Sequence, residues 1–338
     1  MNDKILGTLY GLAIGDALGM PSELWSRRKV KDFFGQITTF LDGPAENDVA
    51  CNFTKGQFTD DTSQGLLIID ALNKNNFEPS NKLIAEELIK WANETDAFDN
   101  NILGPSSKAA LNAIKTGNDP SIYTKKALTN GAAMRIAPIG TLFSSTQKNS
   151  LIKYVRKVSQ PTHASDIAIA GASMIAYAVC LATEDKSWED IMALTNELYD
   201  LALEEGEETF SASISERLKL GLQFAEKHKD DEETFAQQIY DVIGCGTATN
   251  ESVPAALAIA YYCKDPHHCA LFCANIGGDT DTIGAMATAI CGAKSGYKAL
   301  DTVWIDIIDQ NNHVHLQKYA SKLLKGRDFL DRGDIYGE

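Results

Sequence analysis

The sequence predicts an all-α fold, a compact bundle of roughly a dozen or more helices at the usual helix length. Three observations carry this reading. Apolar residues recur at spacings of three and four almost throughout the 338 residues. No set of alternating strands is visible, residues 33–41 being the only doubtful piece. Breakers fall between the periodic stretches: Pro44, Pro79, Pro105, Pro120, Pro161, Pro254 and Pro266.

The helices follow in order. The first carries Ile5, Leu6, Leu9, Leu12 and Ala13, with Gly11, Gly15 and Gly19 four residues apart. That spacing lines up a Cβ-free stripe against which another backbone can pack closely. Asp16 lies within it, and the helix must end near Met20-Pro21-Ser22-Glu23. Leu66, Leu67, Ile69, Ala71 and Leu72 mark a second helix; Leu83, Ile84, Leu88, Ile89 and Trp91 mark a third. Residues 167–181 are Ala-rich and apolar all round, which predicts a central buried helix. Residues 191–203, 214–224, 235–242, 253–262, 283–292 and 314–324 continue the pattern.

Composition is ordinary for a globular chain, 44% hydrophobic and 23% charged. No linker, low-complexity run or solenoid repeat divides it, so residues 1–338 read as a single domain. The net charge of −15, from 31 basic and 46 acidic residues, argues against nucleic acid as a partner. Acidic runs at 204–208 and 230–233 read as solvated helix ends and loops. The seven cysteines lack framework spacing, which points to free thiols in a reducing compartment. The residues Met1-Asn2-Asp3-Lys4 run straight into a helix, and no apolar run reaches the ~20 residues of a membrane span. The expectation is a cytoplasmic protein.

Two short acidic clusters stand out: Thr59-Asp60-Asp61-Thr62 and Gly277-Gly278-Asp279-Thr280-Asp281-Thr282. Each precedes an apolar stretch, so each is a natural helix start, with hydroxyls and carboxylates capping free N–H groups. Neighbouring carboxylates repel, however, and a hard divalent cation with oxygen ligands relieves that repulsion. Residues one or two apart share no helix face. They converge on one ion only where the chain is still turning into the helix, and both clusters occupy such a place. Gly277-Gly278 also allows positive φ and close backbone approach. Two matched clusters favour a metal site built from both.

Other motifs are weaker. Asn130-Gly131-Ala132-Ala133-Met134-Arg135 suggests a substrate-facing turn, although a surface arginine beside a loop is the simpler reading of Arg135 alone. Gly104-Pro105-Ser106-Ser107 either caps a helix or offers hydroxyls and N–H groups to a phosphate. His163, in Thr162-His163-Ala164-Ser165-Asp166, is a candidate substrate contact or a structural histidine; residues this close cannot adopt triad geometry. Cys263, His267, His268, Cys269 and Cys273 lack zinc-site spacing, and their apolar neighbours suggest core thiols. Asp60-Asp61-Thr62-Ser63-Gln64 also resembles the DDxxD pattern of all-α isoprenoid synthases, with Gln64 in place of the last acid.

Taken in order, Gly15-Asp16-Ala17-Leu18-Gly19 with Glu23, Phe58-Thr59-Asp60-Asp61-Thr62, Asn130 to Arg135 and Gly277 to Thr282 resemble an ADP-ribosylglycohydrolase of the dinitrogenase-reductase-activating type. The resemblance runs from about Ile5 to Gly296. It implies an orthogonal all-α bundle with two Mg2+ (or Mn2+) ions in a central cleft. It implies cleavage of the bond between C1″ of ADP-ribose and a protein side chain or small leaving group, by a monomer. Thr59, Asp60, Asp61, Asp279, Asp281 and Thr282 would be the metal ligands. Glu23 would lie in a mobile loop over the site, and Glu23, Asp60, Asp61 or Asp281 would serve as acid or base. Gly104, Ser106, Ser107, Asn130, Gly131, Met134 and His163 would fall along the ADP-ribose cleft. Members acting on ADP-ribosyl-arginine carry an Asp two residues before the glycine matching Gly104, where this chain has Ile102. A nucleoside-like glycoside as substrate, and a non-catalytic ADP-ribose sensor, are the alternatives.

Overall fold

The computed structural model describes residues 1–100 and 102–332. Among them are eighteen α-helices and no strand; three isolated bridges pair Trp25 with Gly278, Thr129 with Ala248 and Ser165 with Glu207. The first seven are α1 (Asn2–Gly19), α2 (Arg27–Phe34), α3 (Asp60–Lys74), α4 (Asn81–Glu94), α5 (Pro105–Lys115), α6 (Ser121–Thr124) and α7 (Ala137–Gly140). The middle of the chain forms α8 (Lys148–Ser159), α9 (Asp166–Thr183), α10 (Trp188–Glu197), α11 (Tyr199–Leu203) and α12 (Ile214–Lys227). The remainder forms α13 (Glu232–Gln238), α14 (Thr249–Cys263), α15 (Pro266–Ile276), α16 (Thr280–Ser295), α17 (Thr302–Asn312) and α18 (Leu316–Arg332).

Hydroxyl and carboxylate caps start most of the longer helices, as at Ser80, Ser165, Ser187, Ser213, Asp265 and Asp301. Pro105 and Pro266 occupy first helical turns, where a missing N–H costs nothing. Residues 35–41 form neither helix nor strand.

Pro254 corrects an expectation. It does not separate elements but sits inside α14. A proline there leaves the carbonyl of Asn250 without its helical donor. Arg217 fills the gap, its Nη1 donating to Asn250 O at 2.7 Å.

The expected central helix is α9, buried along nearly all its length. It is long and apolar enough to cross a membrane, with mean hydropathy 1.7, yet 94% of it lies inside the protein. The other core helices are α1 and α16, which run antiparallel in direct backbone contact. A Cβ on Gly15 would stand 2.0 Å from Gly284 O, and one on Gly284 would stand 2.5 Å from Gly15 O. The stripe of small residues therefore does what its spacing predicts. It also sets direction: the C-terminal end of α1 lies against the N-terminal end of α16, with Gly19 beside Thr280. That brings Asp16 and Glu23 to the second acidic cluster.

Candidate metal centre and substrate cleft

Both acidic clusters start helices. Thr59 caps α3, its hydroxyl accepting from Asp61 N at 3.5 Å, and Asp279 occupies the capping position of α16. Gly277 and Gly278 both take positive φ, +84° and +85°. The Gly278 N–H donates to Trp25 O and its carbonyl accepts from Leu24 N, each at 2.7 Å. This short bridge ties the segment after Glu23 to the second cluster.

The clusters meet across the fold. The Thr59 hydroxyl reaches Asp61 Oδ2 at 3.2 Å and Asp281 Oδ2 at 3.5 Å, spanning α3 and α16. One oxygen from each of Glu23, Asp279 and Asp281 lies within 4.8 Å of the others. Asn130 fixes Asp279, its Nδ2 donating to Oδ2 at 2.6 Å and to Ser252 Oγ at 3.0 Å.

Burial and mutual repulsion act on this group together. Burial, then the neighbouring carboxylates, push Glu23, Asp61 and Asp281 well above the usual carboxylate range. Burial pushes Asp60 up to about 8, aided by Asp16, and Asp279 up to about 6 against its bond from Asn130. Asp61 Oδ1 and Asp281 Oδ1 are buried without a hydrogen-bond partner. Buried acceptor oxygens cost free energy unless something positive meets them. Orphaned oxygens amid five close carboxylates fit hard divalent cations, which prefer oxygen ligands. Among the described residues, Glu23, Asp279 and Asp281 bring oxygens close enough to share one ion, and Asp60, Asp61 and Thr282 line the same cavity.

Asp16 was not among the candidate ligands, although its motif was. It is fully buried on α1 and accepts from Thr59 N at 2.9 Å, Thr62 N at 3.0 Å and Thr62 Oγ1 at 2.6 Å. It thereby clamps the first turn of α3 onto α1. Burial raises its carboxyl to about 6 despite those donors. A lone carboxylate in a glycine-rich helix was the only available signal.

A cavity of about 330 Å3 opens onto the carboxylates. Glu23, Asp60, Asp61, Asp279, Asp281 and Thr282 form its floor; Gly104, Ser107, Asn130, Gly131 and Met134 form its sides, with Ile102 at the edge. Ser106 and His163, expected along the cleft, take no part in its wall. They belong to a buried chain of hydrogen bonds behind it.

That chain begins at Asp60. Gln64 Nε2 donates to Asp60 Oδ2 at 2.7 Å, and Arg135 Nη1 donates to Gln64 Oε1 at 2.6 Å. Arg135 Nη2 donates to Thr162 Oγ1 at 2.6 Å. The Thr162 proton then falls to His163 Nδ1 at 2.9 Å, leaving the ring proton on Nε2, which faces Thr129 Oγ1 at 3.0 Å. Thr129 donates on to Ser106 Oγ at 2.9 Å. Burial, with the Arg135 charge, lowers His163 to about 3, so its ring is neutral. Arg135 is therefore neither a surface arginine nor a substrate-facing one. It is 1% exposed, and burial lowers it to about 10. Its charge faces Asp60 through one glutamine.

The cysteine and histidine group does not assemble a metal site. His267 stacks on Trp304 with ring centroids 4.1 Å apart, and His268 donates toward Glu232 at 2.5 Å, both away from the buried thiols. All seven cysteines are free, Cys51 alone being exposed.

The profile of the ADP-ribosylglycohydrolase family matches residues 1–331. The chain is 46% identical over 326 residues to the uncharacterized protein YegU of Escherichia coli K12, covering 96% of this chain and 97% of that one. It is 30% identical over 220 residues to human ADP-ribosylhydrolase ARH3, covering 56% and 58%. It is 25% identical over 346 residues to the ADP-ribosylarginine hydrolase Tri1 of Pseudomonas putida, covering 99% and 82%. A solved structure titled an ADP-ribosylglycohydrolase-related protein complex shares the fold at TM-score 0.67 and 23% identity, covering 97% and 98%.

Proposed function

The chain belongs to the ADP-ribosylglycohydrolase family, and on that premise we propose that it is a metal-dependent hydrolase. It cleaves the glycosidic bond between C1″ of ADP-ribose and a protein side chain or small leaving group, with two divalent cations, Mg2+ or Mn2+. The observation that carries this reading is the meeting of two helix N-termini 218 residues apart in sequence (279 − 61), where Asp61 Oδ1 and Asp281 Oδ1 are buried and unpartnered.

Cations held by Asp60, Asp61, Asp279 and Asp281 would supply Lewis-acid charge and a water of lowered pKa. The chain's own residues do the rest. Asn130 holds one Asp279 oxygen, and the Thr282 hydroxyl also bonds this carboxylate. Thr59 keeps Asp61 and Asp281 in register across two helices. Glu23, half-buried at the cleft floor, takes the proton of the attacking water or hands one to the departing group. Gly104 starts α5, whose free N–H groups face the cleft and suit a pyrophosphate. His163 and Ser106 act indirectly, by fixing Thr129 in the cleft wall.

The test is release of free sugar from a panel of ADP-ribosylated peptides, ADP-ribosyl esters and nucleosides, with Mg2+ and with chelator. Metal-dependent release, abolished by Asp281→Ala in a protein of unchanged helicity, is expected. Calorimetric binding of ADP-ribose without turnover on any glycoside would replace the enzyme with a sensor.

A further inference from the structure

We propose that a second cavity, on the other side of Asp60 from the ADP-ribose cleft, receives the leaving group, and that this group is a neutral aromatic heterocycle. The inference rests on the glycosidase reading above and names its substrate class.

The second cavity encloses about 480 Å3, within the ~300–1,000 Å3 typical of small-molecule sites. Val49, Asp60 and Ile102 line both cavities, so the two share a wall at the carboxylates. A glycoside spanning that boundary places its sugar over the acidic floor and its aglycone beyond Asp60. The segment carrying Val49, Phe53 and Phe58 is tied to the catalytic end of α1. Asn47 Nδ2 donates to Glu23 O at 2.9 Å and to Pro21 O at 3.3 Å.

The wall chemistry selects the occupant. Three aromatic rings line it, Phe53, Phe58 and Trp91. Trp91 is half-buried on α4 and stacks on no other ring among the described residues. Among the described residues, Asp60 is the one charged side chain in the wall. The polar groups are of both kinds. Gln57 uses its Oε1 on Thr54, which leaves its amide N–H groups as donors. The hydroxyls of Ser63 and Thr95 give their protons to the carbonyls of Thr59 and Trp91, which leaves them as acceptors.

Flat apolar walls with separate donors and acceptors match a ring that has both on its edge, such as a nucleobase or a pyridine carboxamide. A guanidinium offers donors only. It could stack on a ring and meet the acceptors Asp60, Ser63 and Thr95, but it would leave the amide donors of Gln57 without a partner. A serine hydroxyl would leave the rings uncovered. In the reaction the C1–N bond breaks with its electron pair passing to the ring nitrogen. Water's oxygen bonds to C1; its displaced proton ends on the ring nitrogen of a nucleobase, whereas a pyridine carboxamide leaves neutral from its pyridinium and the proton passes through Glu23 to solvent.

The test uses the full chain with Mg2+. Nicotinamide and hypoxanthine are titrated calorimetrically and as inhibitors, beside ADP-ribose, against wild type, Trp91→Ala and Trp91→Phe. Stacking of one base on one aromatic side chain predicts about a tenfold loss of base affinity in Trp91→Ala. Trp91→Phe should recover most of it, and ADP-ribose affinity should stay within about twofold. Absence of base binding to wild type at millimolar concentration overturns the inference, as does an equal loss for base and ADP-ribose. Cleavage of ADP-ribosyl peptides that is indifferent to Trp91→Ala sinks this inference and leaves the glycosidase reading intact. Failure to cleave any glycoside sinks that reading, and the base-binding arm still decides what the cavity holds.

Discussion

Asp16 and Thr62 hold α1 and α3 together through one carboxylate oxygen, which accepts both the Thr62 N–H at 3.0 Å and its hydroxyl at 2.6 Å. The other Asp16 oxygen takes the Thr59 N–H. The first acidic cluster thus owes its position to a residue outside the candidate ligand set.

Asp16→Ala removes the acceptor for three donors at the start of α3. Misplacing Asp60 and Asp61 should weaken Mg2+ binding by about 10- to 100-fold, the usual effect of losing a residue that orients metal ligands. Calorimetric Mg2+ titration of a variant with unchanged circular dichroism checks this. Unchanged affinity would show that α3 needs no such clamp.

Metal-free protein should lose stability as pH rises. Asp16 and Asp279 are raised to about 6 and Asp60 to about 8 in the fold, against about 3.9 for an unfolded aspartate. Folded protein therefore binds more protons than unfolded across that interval, and linkage makes stability fall with pH. The contribution is fully present below pH ~4 and is lost between there and pH ~8. Cations replace the protons, so the Mg2+-induced rise in Tm should grow over the same window. Melting curves at pH 5, 6.5 and 8, in chelator and in Mg2+, measure it. A chelated protein whose Tm is flat or rises with pH contradicts the picture.

Arg135 is a buried cation that faces Asp60 through Gln64. Arg135→Met strands Gln64 Oε1 and Thr162 Oγ1 and leaves Asp60 without a facing charge, a loss of about 3–5 kcal/mol. Arg135→Lys keeps the charge but cannot reach both partners with a planar fork, so it should fall between. Urea unfolding of the three proteins ranks them; wild-type stability in Arg135→Met would show that the chain of bonds is incidental.

Glu23→Gln keeps size and hydrogen bonding but cannot exchange a proton. Turnover should drop about 10²- to 10⁴-fold while ADP-ribose affinity changes little. Equal losses in both would make Glu23 a binding residue instead.

Gly15→Val drives a branched side chain into the Gly284 carbonyl, which already stands 2.0 Å from where a Cβ would be. Separation of α1 from α16 should cost several kcal/mol, the scale of severe overpacking, and should weaken metal binding in the same variant. A Gly15→Val protein that binds Mg2+ normally would mean the two helices do not set the site.

Legibility in the sequence followed the range of the interaction involved. Helix starts at Thr59 and Asp279 were readable because helix initiation is local: the Thr59 hydroxyl meets the N–H two residues on, and Asp279 occupies the capping position of α16 without a side-chain cap bond. The apolar-all-round stretch at 167–181 gave the central helix because burial on every face leaves no polar stripe. Pro254 misled because the group that compensates for it, Arg217, is 37 residues away (254 − 217). Arg135 was misread as a surface arginine for the same reason, its partners Gln64 and Thr162 being invisible from its neighbours.

The sequence by itself determined the helices, their caps, the acidic pairs and the small-residue stripe, all consequences of contacts within about a turn of the chain. Tertiary structure alone decided that α1 and α16 run antiparallel and that Asp279 and Asp281 face Asp61 across them. It alone decided that His163 and Ser106 stand behind the cleft wall and that a second cavity opens beyond Asp60. Those outcomes depend on which buried surfaces fit one another, and close packing of distant segments leaves no local pattern from which to read the fit.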